Sequence, residues 1–236
     1  LRQYLGFGYF DENLVWEPER GAIFLVVPID DPSRPILIPC EPCFTWHFAN
    51  AFVEGGELAV DLVRYPDFGT DRWLIELLRG GPSAPPTGTF FRARLDLERR
   101  RVAWEERWPR LCEFPTIAGA VAGRPYRYVY MAAHSSPAAG AAGMQDRLVR
   151  LDVERGEAIE VEIGPGHYPS EAIFVPRPGA AAEDDGHLLT LVYDAGSDRS
   201  HLAIVDAARL AEGPLARLWL DHHVPFTFHG AWIGEP

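Results

Sequence analysis

Apolar and polar residues alternate with a period of two in many short stretches, each closed by Gly, Pro, Asp or Asn. That is the pattern of half-buried strands in antiparallel sheets. Leu14–Pro18 and Ala22–Val27 flank Glu19-Arg20-Gly21 and predict a first hairpin, and a strand beginning at Pro35–Ile38 feeds a second. In the second, Phe44–Phe52 and Glu57–Tyr65 meet at Gly55-Gly56, and His47 lies on the first strand among Phe44, Trp46, Phe48 and Phe52. Three later hairpins share one form, a strand ending near Asp, a turn, and a returning strand. They are 90–97 into 102–108, 147–153 into 159–163, and 201–206 into 216–220. Short strands are also predicted at 126–131, 171–175 and 187–193. Only Asp71–Leu78 reads as a helix, with Trp73, Leu74, Leu77 and Leu78 at helical spacing and Thr70 as its cap. The Gly80–Pro86 loop is too short for a domain linker, so residues 1–236 are read as part of a single domain. The class is all-β: sandwich, barrel or propeller. At roughly 40–50 residues per blade, a propeller reading gives about four or five blades.

Composition narrows the chemistry. A net charge of −12 repels a phosphate backbone and disfavours nucleic acid as a partner. All 22 basic residues are Arg, which excludes a Schiff-base or general-base lysine in this segment. Cys40 and Cys43 have C-x-x-C spacing and Cys112 stands apart. No second pair completes a zinc site, and Pro42 with strand-like residues after it does not open a thioredoxin-like helix. Unpaired cysteines point to a reducing compartment, and no signal peptide or membrane-length apolar run is visible, so the expected location is cytoplasmic. No P-loop, dinucleotide fingerprint or G-x-S-x-G elbow occurs.

The candidate chemistry lies in two histidines set among aromatic residues. Half-desolvated imidazole is favoured in its neutral form, with a ring nitrogen free to bind. His47 opens His47-Phe48-Ala49-Asn50-Ala51-Phe52, and His229 sits in Phe228-His229-Gly230-Ala231-Trp232. Two further segments are Glu113-Phe114-Pro115, leading to Gly123-Arg124-Pro125-Tyr126, and Tyr168-Pro169-Ser170-Glu171-Ala172, leading to Glu183-Asp184-Asp185-Gly186. These four matches, in this order, resemble the carotenoid cleavage oxygenase family, the retinal pigment epithelial protein family. The likeness departs at Val53, where the family often has an acid.

The resemblance implies a seven-bladed β-propeller of antiparallel four-stranded sheets, this chain supplying the later blades. It implies that His47 and His229 ligate a non-haem iron, Fe(II), and that Glu113 and Glu171 hydrogen-bond their outer nitrogens, Glu113 with His47 and Glu171 with His229. It also implies that two further ligands belong to an upstream half of the same domain, without which the chain binds iron poorly. The activity implied is dioxygenase cleavage of a carbon–carbon double bond in a carotenoid, apocarotenoid or stilbene-like substrate. The partners are then a lipophilic small molecule and dioxygen, with peripheral membrane contact left open. Phe44, Trp46, Phe52, Phe226, Phe228 and Trp232 could line an apolar tunnel for such a substrate. Against this stand a non-catalytic propeller module with packed histidines, and a zinc hydrolase using the same pair. His222-His223 read as surface positions, and His134, His167, His187 and His201 border turns and are assigned no chemistry. The adjacent acids Glu105-Glu106 and Asp184-Asp185 point apart on a strand or turn and do not make a glycosidase pair.

Overall fold

The computed structural model describes residues 14–81 and 84–234, so the middle of the Gly80–Pro86 loop lies outside the described residues. Three consecutive four-stranded antiparallel sheets follow a two-stranded one. The small sheet pairs β1 (Ala22–Val26) with β2 (Ile36–Cys40). Next come β3 (Phe48–Glu54), β4 (Glu57–Arg64), β5 (Thr89–Asp96) and β6 (Arg101–Trp108), with α1 (Gly69–Leu78) between β4 and β5. The following sheet holds β7 (Cys112–Thr116), β8 (Tyr128–Ala133), β9 (Arg147–Asp152) and β10 (Glu157–Val161), with α2 (Pro137–Ala142) between β8 and β9. The last holds β11 (His167–Pro176), β12 (Gly186–Asp194), β13 (Arg199–Asp206) and β14 (Pro214–Trp219). Each is a simple meander in chain order, as in propeller blades.

The recurrent aspartates have one structural job. Asp96, Asp152 and Asp206 end the third strand of the three sheets, and each Oδ1 accepts backbone N–H groups of the following turn. A short carboxylate closing its own turn explains why Asp recurs there.

Apolar side chains pack between successive sheets. Ile38, Val60, Leu62 and Leu95 fill the first interface, Phe52, Phe90, Val129, Met131 and Leu151 the second, and Leu148, Leu188, Val192 and Val205 the third. β7 lies against β3, β4 and β5, and β11 against β7, β8 and β9. The first strands of the sheets are therefore stacked side by side.

Several expectations are corrected. Residues 14–17 form no strand; Pro18, lacking an N–H, opens a 3₁₀ turn at Pro18–Arg20, and β1 pairs forward with β2. His47 precedes β3 by one residue instead of lying on it. Helix α1 starts earlier than expected; its N-cap residue is Phe68, which makes no side-chain cap bond, Asp67 Oδ1 just before it accepts from Gly69 N at 2.7 Å, and Thr70 is buried in the first turn. The described residues hold three four-stranded sheets, fewer than the four or five blades expected, because α1, α2 and long turns occupy chain that the blade estimate assigned to strands. Among the described residues no helix is long and apolar enough to cross a membrane.

Candidate metal centre

Three first strands and the C-terminal segment bring the four expected side chains together. His47 sits before β3, Glu113 in β7, Glu171 in β11, and His229 follows β14. In each of these strands the pairing register shifts beside the site residue: between Phe48 and Asn50, between Glu113 and Thr116, and between Pro169 and Ala172. Such irregularities bend a strand and re-aim a side chain out of the regular alternation. At β7 the cause is visible, since Phe114 adopts a left-handed backbone, φ 54°. That conformation costs of order 1–3 kcal/mol for a bulky residue. Its ring packs on His47 at 5.1 Å and near His229 at 6.3 Å, and its N–H donates to Glu113 Oε2 at 2.7 Å.

Asn50 explains how two of the sequence segments cooperate. Its amide donates to the carbonyls of Val121 and Arg124, and its oxygen accepts from Gly123 N. The strand that follows His47 is thereby tied to the 121–124 loop.

The two histidines face each other, with Nε2 of His47 and Nε2 of His229 at 3.1 Å and their rings nearly perpendicular. Behind each is a carboxylate. His47 Nδ1 lies 2.5 Å from Glu113 Oε2, and His229 Nδ1 lies 3.1 Å from Glu171 Oε1. Carboxylates accept only, so each Nδ1 carries a proton and, in neutral imidazole, each Nε2 is a bare lone pair. Two lone pairs at this distance repel. They need a shared cation, either one proton or one metal ion. Metal–nitrogen bonds of about 2.0–2.1 Å meeting near a right angle leave their nitrogens about 3 Å apart, so the pair fits a metal.

The carboxylates are themselves fixed. Glu113 is 7% exposed and also accepts from Tyr65 Oη at 2.7 Å. Burial, then the Glu113 charge, push the Tyr65 hydroxyl well above its ordinary pKa, so it stays a donor. Glu171 Oε2 accepts from Gly230 N at 2.9 Å, beside the histidine it supports. Among the described residues no third His, Cys, Asp or Glu joins the pair as a metal-binding cluster.

Sequence reading did not single out Tyr65, whose role depends on β4 lying beside β7; its only signal was its place at the end of the histidine hairpin. Of the six aromatic residues expected along a tunnel, Trp46, Phe226 and Phe228 line a cavity of about 240 Å³ beside His47. Phe52 is instead core, Phe44 packs on Trp46 and Phe68, and Trp232 is exposed. His222 and His223 are exposed as expected. Glu105 pairs with Arg94, Asp184 with Arg150 and Asp185 with Arg177, while Glu106 accepts from the Thr89 hydroxyl. His134 and His201, given no role, are buried with no partner for either ring nitrogen among the described residues.

The model of the retinal pigment epithelial membrane protein family matches residues 4–234. The apocarotenoid-15,15'-oxygenase of Synechocystis is 37% identical over 94% of this chain and 44% of its own length. The carotenoid cleavage oxygenase of Mycobacterium tuberculosis is 31% identical over 92% of the chain and 43% of its own. Cobalt-substituted Synechocystis ACO superposes with a TM-score of 0.81 at 33% identity, covering 93% of this chain and 45% of that one. An ACO/RPE65 chimera gives 0.80 at 31% identity over 93% and 45%. The chain thus spans a little under half the length of these relatives. With a match running through nearly every residue from the first sheet to the segment of His229, it belongs to the retinal pigment epithelial membrane protein family, the family of the carotenoid cleavage oxygenases.

Proposed function

We propose that this chain is the C-terminal part of a non-haem iron(II) dioxygenase that splits a carbon–carbon double bond of a carotenoid, apocarotenoid or stilbene-like substrate. One alkene and one dioxygen become two carbonyl products, which balances without a further reductant. The observation that carries the reading is the 3.1 Å approach of two Nε2 atoms, each aimed by a carboxylate from a different sheet. His47 and His229 would hold the ion, and an upstream part of the same domain, completing a seven-bladed propeller, would bring the remaining ligands. Iron(II) held by neutral nitrogen donors keeps its full charge and supplies a site for activating dioxygen.

The chain's own residues do the positioning. Glu113 and Glu171 hold the Nδ1 protons of the two histidines, which fixes the tautomer and turns both Nε2 lone pairs toward one point. Tyr65 and the Phe114 N–H keep Glu113 from rotating away. Phe114 and Phe228 give the His pair an apolar flank, and the adjoining cavity offers the space an unsaturated hydrocarbon needs. Such a wall excludes water and orients a substrate that has few polar handles.

Iron content, measured on the chain alone and on the chain joined to the rest of its domain, tests the reading. The lone chain should bind iron poorly, and the complete domain should bind one ion and cleave a polyene with label from dioxygen in both carbonyls. His47→Ala and His229→Ala should each abolish both properties. Iron that stays near zero in the complete domain removes the reading's support.

A further inference from the structure

Cys40 and Cys43 take no part in the centre described above, yet the fold draws them together. Cys40 ends β2, where it is paired across the sheet with Ala22. The chain bends at Glu41 and Pro42, and Phe44 then bridges to Tyr65 through two backbone bonds. Phe44 N donates to the Tyr65 carbonyl at 3.0 Å, and Tyr65 N donates to the Phe44 carbonyl at 2.8 Å. Each cysteine is thus held from its own side of the bend, and the Cys40 thiol donates to Cys43 Sγ across it. Both are free and partly exposed, in contrast to Cys112, which is 3% exposed.

A cation is fixed at the same bend. Arg64 Nη2 donates to Glu41 Oε1 at 2.6 Å, and Arg64 Cζ lies 4.7 Å from the Trp104 ring and 5.2 Å from the Phe91 ring. The guanidinium held in this way also bonds Cys43. Donation from Cys40, aided by the Arg64 charge and opposed by burial, lowers the Cys43 thiol to about 7. The same bond, then burial, pushes the Cys40 thiol up. One thiol of the pair is thereby a thiolate near neutral pH and the other a proton-bearing neighbour. A thiol that titrates near the ambient pH is the best attacking group in thiol–disulfide exchange.

We propose that Cys40 and Cys43 are a redox site, a dithiol that small disulfides of the glutathione class convert reversibly to an intramolecular disulfide. In the first step the Cys43 thiolate attacks one sulfur of the small disulfide. A bond from Cys43 to that sulfur forms, the small molecule's own S–S bond breaks, and one thiolate leaves with the electron pair. In the second step Cys40 gives up its proton and its sulfur attacks Cys43. The Cys40–Cys43 bond forms, and the second small thiolate leaves and takes up a proton. The protein dithiol is oxidised by two electrons and one small disulfide is reduced to two thiols, so no other reactant enters. The bridge closes just ahead of His47, on the chain that Phe44 ties to Tyr65, the donor to Glu113. It staples the end of β2 to the segment that leads into the centre, and its chemistry requires no bound ion.

The test is incubation of the complete protein with glutathione disulfide near pH 7, followed by alkylation of remaining thiols in denaturant. Mass spectrometry is then read on the tryptic peptide that holds both cysteines. The wild-type peptide should lose the mass of two hydrogen atoms and take up no alkyl group, and dithiothreitol should reverse both changes. Cys112 in the same digest should be alkylated. Cys40→Ser should stop at the mixed disulfide, seen as a glutathione adduct on Cys43. Cys43→Ser should react several-fold more slowly, because Cys40 is then left without the stabilised thiolate beside it. Circular dichroism confirms that each variant folds. Full alkylation of both cysteines in the treated wild type overturns the inference, as does a disulfide to any third cysteine. Equal rates of adduct formation in the two single variants also overturn it. A reversible Cys40–Cys43 bridge supports it whether or not the protein holds iron and cleaves an alkene, so the oxygenase reading and the redox site fail separately.

Discussion

The two halves of the His pair are built differently. His47 is backed by a carboxylate buried in a sheet, reached at 2.5 Å, with Tyr65 and the Phe114 N–H as additional donors to it. Its side chain is 18% exposed. His229 rides on a segment after β14 that forms no strand in residues 221–234, its side chain is 58% exposed, and Glu171 meets it at 3.1 Å. That segment is anchored chiefly through Ser200, whose N–H donates to the His222 carbonyl and whose Oγ accepts from Val224 N. On the proposed reading, one ligand would be held by a buried carboxylate with two further donors, and the other would sit on an exposed irregular segment with fewer contacts. A ligand fixed before the ion arrives loses little entropy on binding, whereas a ligand on an irregular segment loses more.

This asymmetry orders the effects of substitution, all read in the complete domain. Glu113→Gln should cost the most, about 100-fold in iron affinity, at the upper end of what removing a carboxylate behind a metal histidine does. A glutamine there still accepts through one oxygen, but its NH₂ must face either the Tyr65 hydroxyl or the N–H groups of Phe114 and His47, so the anchor is disturbed in either orientation. Glu171→Gln should cost nearer tenfold, because fewer contacts converge on it. Equal losses for the two glutamates would break the comparison. Tyr65→Phe should weaken iron binding only several-fold, in line with about 1 kcal/mol for one hydrogen bond. Combined with Glu113→Gln it should add almost nothing, since both act through one carboxylate. Gly88→Ala should reach the same end by another route, because a Cβ at Gly88 would lie 2.4 Å from Tyr65 Cζ and must push that ring away from Glu113.

The smallest effect on the ion should come from His134, whose removal touches stability instead. Its folded pKa, about 4, lies below the 6.5 of an unperturbed histidine, so the unfolded chain binds more protons between those values. Stability is then complete above about pH 6.5 and falls as the pH drops toward 4, by up to roughly 3 kcal/mol. Urea midpoints measured across this window should slope less in His134→Phe than in the wild type. A parallel slope would mean that the imidazole is solvated and that its burial is not what the fold imposes.

The sequence displayed some of this plainly and hid the rest for physical reasons. Strand alternation located β3 to β6, β9, β10, β13 and β14, with Gly55-Gly56 marking the first of these turns, because half-buried antiparallel strands write their burial into the sequence with a period of two. β7 was not delimited, since Cys112, Phe114 and Pro115 are all buried and carry no alternation. The histidines and glutamates were legible through the resemblance, as short motifs with their neighbours. Which residues support them was not, for Tyr65 meets Glu113 only through stacking of two sheets, and the left-handed backbone of Phe114 has no glycine to advertise it. His134 reads as a turn residue from Ser135-Ser136-Pro137, yet it is buried, with the Trp73 ring of α1 edge-on against it.

The most direct measurement is an anomalous-scattering crystal structure of the iron-loaded complete domain, recorded at the iron edge. The expected result is one anomalous peak within about 2.0–2.2 Å of both His47 Nε2 and His229 Nε2, with Glu113 and Glu171 still on the two Nδ1 atoms. A peak bound to only one of the rings, or the two rings joined to each other by a proton with no metal between them, would contradict it.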